Sequence, residues 1–263
     1  MPTVDRRTLP DGRRVYLHPE TEAPYLGVTS VIGQAWPSAQ LERWRVGNIA
    51  AQLVGNAKDS ASKLERLASK PAGLQELAAR KWQERLWGWR EDYSHAERGT
   101  RIHALLEAML TNPKASFSGV DPVELEAAKR ARKAIKRAGL IVHQVEVSVF
   151  GAADGQRYAG TADILAVDQA GRWTVVDLKT GRRVSRTWLP QLAAYAWASE
   201  MSTGDGMSAM PAVSRALVLH VPRRAGTVHW WEIDIAQGFD IFSACCRISR
   251  AAAGRGGIKE VRL

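Results

Sequence analysis

Two neighbouring apolar segments constrain the fold of this 263-residue chain more than any other feature of its sequence. Residues 158–168 and 172–179 are rich in valine, isoleucine and aromatic side chains, and Ala170-Gly171 separates them. A short glycine-containing connection between two such segments predicts paired antiparallel strands with a tight turn. The chain is therefore expected to build at least this part of its core around a β-sheet.

Three charged side chains interrupt the predicted strands: Asp163 in the first, and Asp177 and Lys179 at the end of the second. Because side chains alternate along a strand, Asp177 and Lys179 share one face, and Val176 and Leu178 take the other. Pairing around the turn would bring Asp163 close to Asp177. Carboxylates in so apolar a setting are costly unless they are paired or bind a cation. Mg²⁺ prefers such oxygen ligands, so one interpretation of these residues is a magnesium site. The alternative interpretation is a buried salt bridge between Asp177 and Lys179.

The segments around this pair alternate between helical and strand-like patterns. Two helices precede it, with predicted N-caps at Thr100 and Asp121 and ends at residues 112 and 139. The remaining predicted elements are a strand at 140–150, a helix at 187–200, a loop at 202–211, strands at 216–221 and 228–235, and a closing helix.

The order αβββαβ predicts an α/β fold with a mixed central β-sheet flanked by helices. We expect residues 98–263 to form this core. Residues 1–97 are predicted to hold a small hairpin at 5–18 and a helical N-terminal region.

The charge and the cysteine content narrow the function classes. Lys and Arg (37) exceed Asp and Glu (27), which gives a net charge of +10 and a pI near 9.9. That balance favours a polyanionic partner such as nucleic acid. The two cysteines, Cys245 and Cys246, are too few for a four-cysteine zinc or iron–sulfur site. No apolar run approaches a membrane span of ~20 residues, and the N-terminus lacks a signal-peptide core, so we expect a cytoplasmic protein without a membrane partner.

Asp163, followed by Asp177-Leu178-Lys179-Thr180-Gly181, resembles the PD-(D/E)xK nuclease superfamily, in its RecB-like exonuclease branch. Three further segments resemble motifs of that branch and extend the resemblance over roughly residues 25–200. They are the GTxxHxxxE helix at 99–107, the QxxxY helix at 191–195, and the opening of many phage-encoded members at 28–32 and 41–44.

The resemblance implies a restriction-endonuclease-like core and a Mg²⁺-dependent deoxyribonuclease, in which Mn²⁺ is expected to substitute for Mg²⁺. It implies an exonuclease of phage-type DNA recombination, repair or processing, in a bacterial or phage-infected cell. The expected partners are DNA and a single-strand annealing or other recombination protein. Some RecB-like relatives hold an iron–sulfur cluster with four cysteines, which this chain lacks, so no cluster is expected.

The resemblance also implies roles for individual residues. Asp163, Asp177, the carbonyl of Leu178 and His103 would hold the metal, and Lys179 would orient the attacking water. The further residues of the implied catalytic site are Glu107, Glu146, Gln191 and Tyr195. The basic residues expected to contact DNA are Lys129, Lys133, Arg182, Arg183 and Arg186.

Purely structural roles stay open for several of these residues. A glutamate on a helix surface such as Glu107 needs no functional explanation, Gln191 and Tyr195 could cap the core, and the basic residues could form a solvated face. Three other functions also remain: an endonuclease on the same core, a DNA-binding recombination partner without catalysis, and a basic α/β protein with a chance motif.

Overall fold

A computed structural model describes residues 4–9, 12–36, 61–62, 65–66, 68–71, 94–112, 114–181, 184–204, 206–222 and 227–253. The chain divides into two compact units, one of residues 1–36 with 98–263 and one of residues 37–97. The sequence-based division at residues 97 and 98 placed the first 36 residues outside the core, whereas they belong to the larger unit. The account below concerns this larger unit.

Ten strands of the described chain form one mixed sheet. The strands are β1 (Arg6–Thr8), β2 (Arg14–Leu17), β3 (Pro24–Gly27), β4 (Ile141–Ala153), β5 (Gln156–Val167), β6 (Trp173–Lys179), β7 (Glu200–Thr203), β8 (Gly206–Ala209), β9 (Val213–His220) and β10 (His229–Ile233). Neighbours along the sheet follow the order β1-β2-β3-β5-β4-β7-β8, while β6 joins β5 to β9 and β10 pairs with β9. The pairs β3–β5 and β6–β9 are parallel.

Five helices cover the two faces of this sheet. They are α1 (Val28–Ala35), α2 (Ser94–Thr111), α3 (Pro122–Arg137), α4 (Trp188–Ala196) and α5 (Ile235–Ala253). Together with the strands they confirm the predicted α/β class and the mixed central sheet. None of the helices in the described part of the chain combines the length and the apolar composition that a membrane crossing requires.

The predicted start of α3 is confirmed and that of α2 is wrong. Asp121 accepts the backbone N–H groups of Val123 and Glu124, and Pro122 occupies the first turn, where its missing N–H costs nothing. Helix α2 begins at Ser94, six residues before the predicted cap at Thr100. A threonine that is followed by a helical pattern resembles an N-cap, but Thr100 lies inside the helix.

The segment 202–211, predicted as a loop, contains most of a β-hairpin. Strands β7 and β8 pair antiparallel, with Met201 opposite Ser208 and Thr203 opposite Gly206. Gly206 has φ +125°, a backbone conformation that favours glycine. The glycine content that suggested a loop therefore serves a tight turn.

The first three strands extend the core sheet. The hairpin predicted at 5–18 is confirmed as β1 and β2, and β2 pairs with β3. Strand β3 then pairs in parallel with β5, at Leu26–Tyr158 and Gly27–Ala159. This contact between distant parts of the sequence places the N-terminal residues in the core unit.

The buried side chains lie on the two faces of the sheet. Helices α1, α4 and α5 pack on one face, called here the α5 face, where Phe242 and Tyr158 are fully buried. Helices α2 and α3 pack on the other, the α3 face, through Ile102, Leu106 and Ile135. Strands β4, β5 and β6 contribute side chains to both cores, so functional groups on them are held from two sides.

Candidate functional site

Strand β4 changes its alternation at Glu146. Val145 packs in the core of the α3 face, and Val147 packs in the core of the α5 face. Residues two apart share a face in a regular strand, so the strand is irregular between them. Glu146 has φ +51°, in the left-handed region. A non-glycine residue there costs ~1–3 kcal/mol and persists only where the surrounding structure imposes it.

Strand β5 changes its alternation at the same level. Ala162 packs on the α5 face and Ile164 on the α3 face, and they pair with Val147 and Val145 of β4. Asp163 lies between them, opposite Glu146. The two irregularities therefore bring two carboxylates together at one level of the sheet.

Helix α2 brings an imidazole to these carboxylates. His103 Nδ1 lies 3.3 Å from Asp163 Oδ2, and the possible ligand atoms of His103, Glu146 and Asp163 all lie within 4.8 Å of one another. We call these three residues the carboxylate cluster. A Cβ at Gly99, one turn before His103, would lie 3.3 Å from Thr180 Oγ1. The small residue therefore permits a close approach of α2 to the segment that follows β6.

Asp163 also links β5 to β6. The two strands pair from Val167–Trp173 to Ile164–Val176. One residue further, Asp163 Oδ2 accepts the backbone N–H of Leu178 at 2.6 Å. The carboxylate thus takes the place of a backbone acceptor where the strands separate, and this bond fixes its position.

A second group lies on β6 and α4. Lys179 Nζ is 2.6 Å from Asp177 Oδ2 and donates to Gln191 Oε1 at 3.3 Å. Gln191 Nε2 in turn donates to Tyr195 Oη at 3.0 Å. We call these four residues the lysine chain. Gly160 makes room for it, because a Cβ at that position would collide with the Tyr195 ring.

Two of the four members of the lysine chain are buried, and the predicted alternation of β6 is confirmed. Asp177 is 2% exposed and Tyr195 3%, whereas Lys179 and Gln191 are partly buried. Val176 and Leu178 pack in the α3-face core, opposite the lysine chain. An Asp–Lys ion pair is therefore present, as the structural alternative expected, and it lies beside the carboxylate cluster.

Burial and like charge raise the pKa of the acidic groups. Burial, followed by repulsion from Asp163, raises the pKa of Glu146 to about 7. Burial raises the pKa of Asp177 to about 6, although Lys179 opposes this shift. Burial alone would lower the pKa of His103, but its hydrogen bond to Asp163 and the negative charge there raise it overall.

Lys179 stays protonated at neutral pH. Burial acts to lower its pKa, but attraction to Asp177 and Asp163 outweighs burial, so the net pKa lies above the ordinary value. The ammonium group can therefore donate hydrogen bonds and neutralise charge, but it cannot accept a proton.

The carboxylate cluster fits a divalent cation. One imidazole nitrogen and two carboxylates form a donor set that transition metals accept, and Mg²⁺ takes the carboxylate oxygens. A cation would offset the repulsion between Glu146 and Asp163. Of the four predicted ligands, His103 and Asp163 belong to this cluster, which adds Glu146. Asp177 Oδ2 meets no donor at hydrogen-bonding angles despite its contact with Lys179, and ligation by Asp177 and by the Leu178 carbonyl stays a prediction.

The remaining predicted residues belong neither to the carboxylate cluster nor to the lysine chain. Glu107 is exposed one turn after His103, and its charge contributes to the raised pKa of Glu146. Lys129, Lys133 and Arg186 are exposed, the first two on α3 and the third just before α4. Arg182 and Arg183 lie outside the described residues. DNA contact by these basic residues stays a prediction.

Sequence reasoning missed Arg6 on β1. Its positive charge acts to lower the pKa of Glu146, against burial and repulsion from Asp163 and Glu107, which raise it. The hairpin that carries Arg6 was predicted, but no local pattern indicated that β3 would connect it to β5. The available signal was the unusual density of arginine in residues 6–14.

Comparison with known proteins agrees with this geometry. Residues 121–234 match the family model of the PD-(D/E)XK nuclease superfamily. No curated protein matches the chain.

Two solved structures resemble the chain at low identity. One is named "Putative exonuclease", from Eubacterium rectale, and has 13% identity and a TM-score of 0.38, covering 64% of this chain and 73% of its own. The other, SSO0001, has 15% identity and a TM-score of 0.31, covering 66% and 82%. The matched segment 121–234 holds Glu146, Asp163 and the lysine chain, and by that match this chain contains a domain of the PD-(D/E)XK nuclease superfamily.

Proposed function

We propose that this protein is a divalent-metal-dependent DNA exonuclease of the RecB-like type, acting in phage-type DNA recombination, repair or processing. Mg²⁺ is the proposed ion, with Mn²⁺ as a substitute. One observation carries the proposal: the carboxylate cluster and the charged Lys179 lie together where β5 and β6 separate, and all of these residues except His103 belong to the segment that matches the nuclease superfamily. A divalent cation and a positively charged group beside it both stabilise the negative charge that develops when a phosphodiester is hydrolysed.

The proposed reaction adds the oxygen of water to phosphorus and breaks the bond to the 3′ oxygen, which leaves a 5′-phosphate. A divalent cation in the carboxylate cluster would lower the pKa of water and withdraw charge from the phosphate. Lys179 orients the water or neutralises charge on the phosphate, because its raised pKa keeps it protonated. Gln191 accepts from Lys179 and Tyr195 fixes the Gln191 amide, so both act by positioning the ammonium group.

DNA is the proposed substrate because the chain is strongly basic. A net charge of +10 favours a polyanion, and a cluster of carboxylates alone would repel one. Exposed cations on α3 and before α4 would take the backbone phosphates. A single-strand annealing or other recombination protein is the proposed protein partner.

The test compares end-labelled linear DNA with closed circular DNA in Mg²⁺, Mn²⁺ or EDTA. The variants are Asp163→Asn and Lys179→Ala. Asp154→Asn is the matched control. Asp154 lies in the turn between β4 and β5, the strands that carry Glu146 and Asp163, and it pairs with Arg247. Its φ of +47° suits asparagine.

We expect metal-dependent loss of the linear DNA alone, abolished in both site variants and retained in the control. Cleavage of the circle would replace the exonuclease by an endonuclease on the same core. If neither DNA is cut in Mg²⁺ or Mn²⁺, hydrolysis of DNA is wrong and the chain is a binding protein or acts on RNA.

A further inference from the structure

The N-terminal hairpin carries an arginine that lies against a tyrosine in contact with β5. Arg6 on β1 pairs with Tyr16 on β2, and directly paired residues of an antiparallel ladder project from the same face. The Arg6 guanidinium carbon lies 5.7 Å from the centre of the Tyr16 ring, which is the range of a cation–π contact. The side chain is therefore laid along the tyrosine.

Tyr16 anchors this arrangement to β5. The side chain is 4% exposed and packs with Phe150 and Ala159. Its hydroxyl lies 3.5 Å from Thr161 Oγ1. Thr161 precedes Asp163 by two residues on the same strand, so the tyrosine reaches from the hairpin to the border of the site.

Arg6 and its neighbour Arg7 differ in their ion pairing. Arg6 is exposed and lies over the ring of Tyr16, whose hydroxyl is 3.5 Å from Thr161 Oγ1 on β5. Within the described part of the chain Arg6 makes no salt bridge. Arg7, the next residue, projects from the other face of β1 and binds Asp5 at 2.7 Å. Arg6 can therefore offer its guanidinium to a ligand without breaking an ion pair.

We propose that Arg6, Tyr16 and Thr161 form a subsite that binds a phosphate of the nucleic-acid strand next to the phosphate being cleaved. The inference rests on the proposed function. A guanidinium matches the geometry of a phosphate and donates two parallel hydrogen bonds to it. The hydroxyl of Thr161 supplies a further donor. The subsite holds the strand against the repulsion of the carboxylates and so sets which phosphate reaches the cluster.

Binding of a fluorescein-labelled DNA oligonucleotide at increasing NaCl tests the subsite. The full chain is used with Mg²⁺, in an Asp163→Asn background that prevents cleavage and is expected to keep the stability of the fold. We expect Arg6→Gln to weaken binding roughly tenfold, since a hydrogen-bonded charge contact is lost. The slope of log affinity against log salt should fall by ~0.7–0.9, which corresponds to one phosphate contact. Arg6→Lys should keep the slope and recover part of the affinity, because it keeps the charge without the paired donors.

Two arginines serve as matched controls. Arg7→Gln removes a charge from the same strand on the opposite face. Arg157→Gln removes an arginine that also lies over a tyrosine, 5.9 Å from the Tyr25 ring centre. Arg157 is six residues before Asp163 on β5, which is about 20 Å along an extended strand. Both variants should keep the wild-type salt slope to within experimental error.

Steady-state cleavage separates a substrate contact from a mere counter-ion. In the chain without any other substitution, Arg6→Gln should raise KM about tenfold and change kcat less than twofold. An unchanged KM with a displaced pH profile would overturn the subsite, because Arg6 would then act only on Glu146. If the wild-type chain cleaves DNA and Arg6→Gln keeps its salt slope, the subsite alone is wrong. If the wild-type chain neither binds nor cleaves DNA, the proposed function fails first.

Discussion

The carboxylate cluster and the lysine chain are neighbours that differ in how their charged groups are paired. In the lysine chain the ammonium group contacts Asp177 and Gln191, and Tyr195 completes the series. In the carboxylate cluster two acids face each other across β4 and β5, and the imidazole of His103 is the polar group that closes the triad. In the first group the one carboxylate has an ammonium partner, whereas in the second two carboxylates share one imidazole.

This difference indicates what each group depends on. The lysine chain is set by packing, because Asp177 and Tyr195 are buried and hold the partly buried Lys179 and Gln191 between β6 and α4. The carboxylate cluster is half-buried and keeps like charges together at a strained backbone position. A fold tolerates such repulsion at a site where a cation is bound. Substitutions in the two groups should therefore separate activity from stability.

The largest expected effect is on activity in the carboxylate cluster. Asp163→Asn should lower the rate of DNA cleavage at least about a thousandfold, because the cation supplies several kcal/mol of transition-state stabilisation. Its Tm in EDTA should stay unchanged or rise, because the repulsion of Glu146 is removed and asparagine still accepts the Leu178 N–H. Cleavage assays and thermal melts measure both. A large fall in Tm would show that the cluster is a structural element like the lysine chain.

In the lysine chain, stability and activity should fall together. Lys179→Met leaves Asp177 buried without its partner, which costs about 3–5 kcal/mol of unfolding free energy. Adding Asp177→Asn should recover a substantial part of this loss while cleavage stays abolished. Urea unfolding of the two single variants and the double variant measures the coupling. Additive losses would contradict an ion pair between these residues.

A smaller effect is expected at the far end of the lysine chain. Tyr195→Phe removes the acceptor of the Gln191 amide, which should cost about 1 kcal/mol of stability and lower kcat roughly tenfold, as the loss of an orienting partner does. Tyr158→Phe is the matched control, because that buried hydroxyl donates to the Ala194 carbonyl on the α5 face. It should lose similar stability and keep kcat. Equal kcat losses in both variants would place the effect in the core and not in Lys179.

Local pattern was sufficient to predict the strands, the turn and the shared faces that build the lysine chain, whereas the contact of Gln191 and Tyr195 with Lys179 was implied by the resemblance. The strand pair, its turn at Gly171 and the common face of Asp177 and Lys179 follow from β-branched residues, a glycine and the period of two. The spacing of Gln191 and Tyr195 likewise follows from the helical repeat. These features depend on residues close together in the sequence, which is why the sequence indicates them.

The carboxylate cluster depends on contacts that no local pattern records. Glu146 sits in a strand-like segment, and its left-handed backbone is imposed by the cores on both sides. The approach of Arg6 depends on the pairing of Leu26 with Tyr158, far apart in the sequence. The resemblance to known nucleases indicated the residue types of the cluster, but the pairing of β4 with β5 is what brings Glu146 opposite Asp163.

The last expected effect is a pH dependence of stability that belongs to the carboxylate cluster. Burial and Asp163 raise the folded-state pKa of Glu146 from 4.5 to about 7, so between these values the folded state binds more protons than the unfolded state. Stability in EDTA should therefore decrease as pH rises from about 4.5 to 7. His103 contributes in the same direction, since its pKa is also raised in the folded state.

Tm measured in EDTA from pH 4.5 to 8 checks this dependence, and Glu146→Gln should flatten it. Asp177 also has a raised pKa, near 6, so a residual slope in Glu146→Gln measures the share of the lysine chain. At pH values above 7, saturating Mg²⁺ should restore most of the stability that was lost between pH 4.5 and 7, because a cation stabilises the ionised carboxylates. If Mg²⁺ leaves the profile of the wild-type chain unchanged while Glu146→Gln flattens it, the two acids repel each other without forming a cation site.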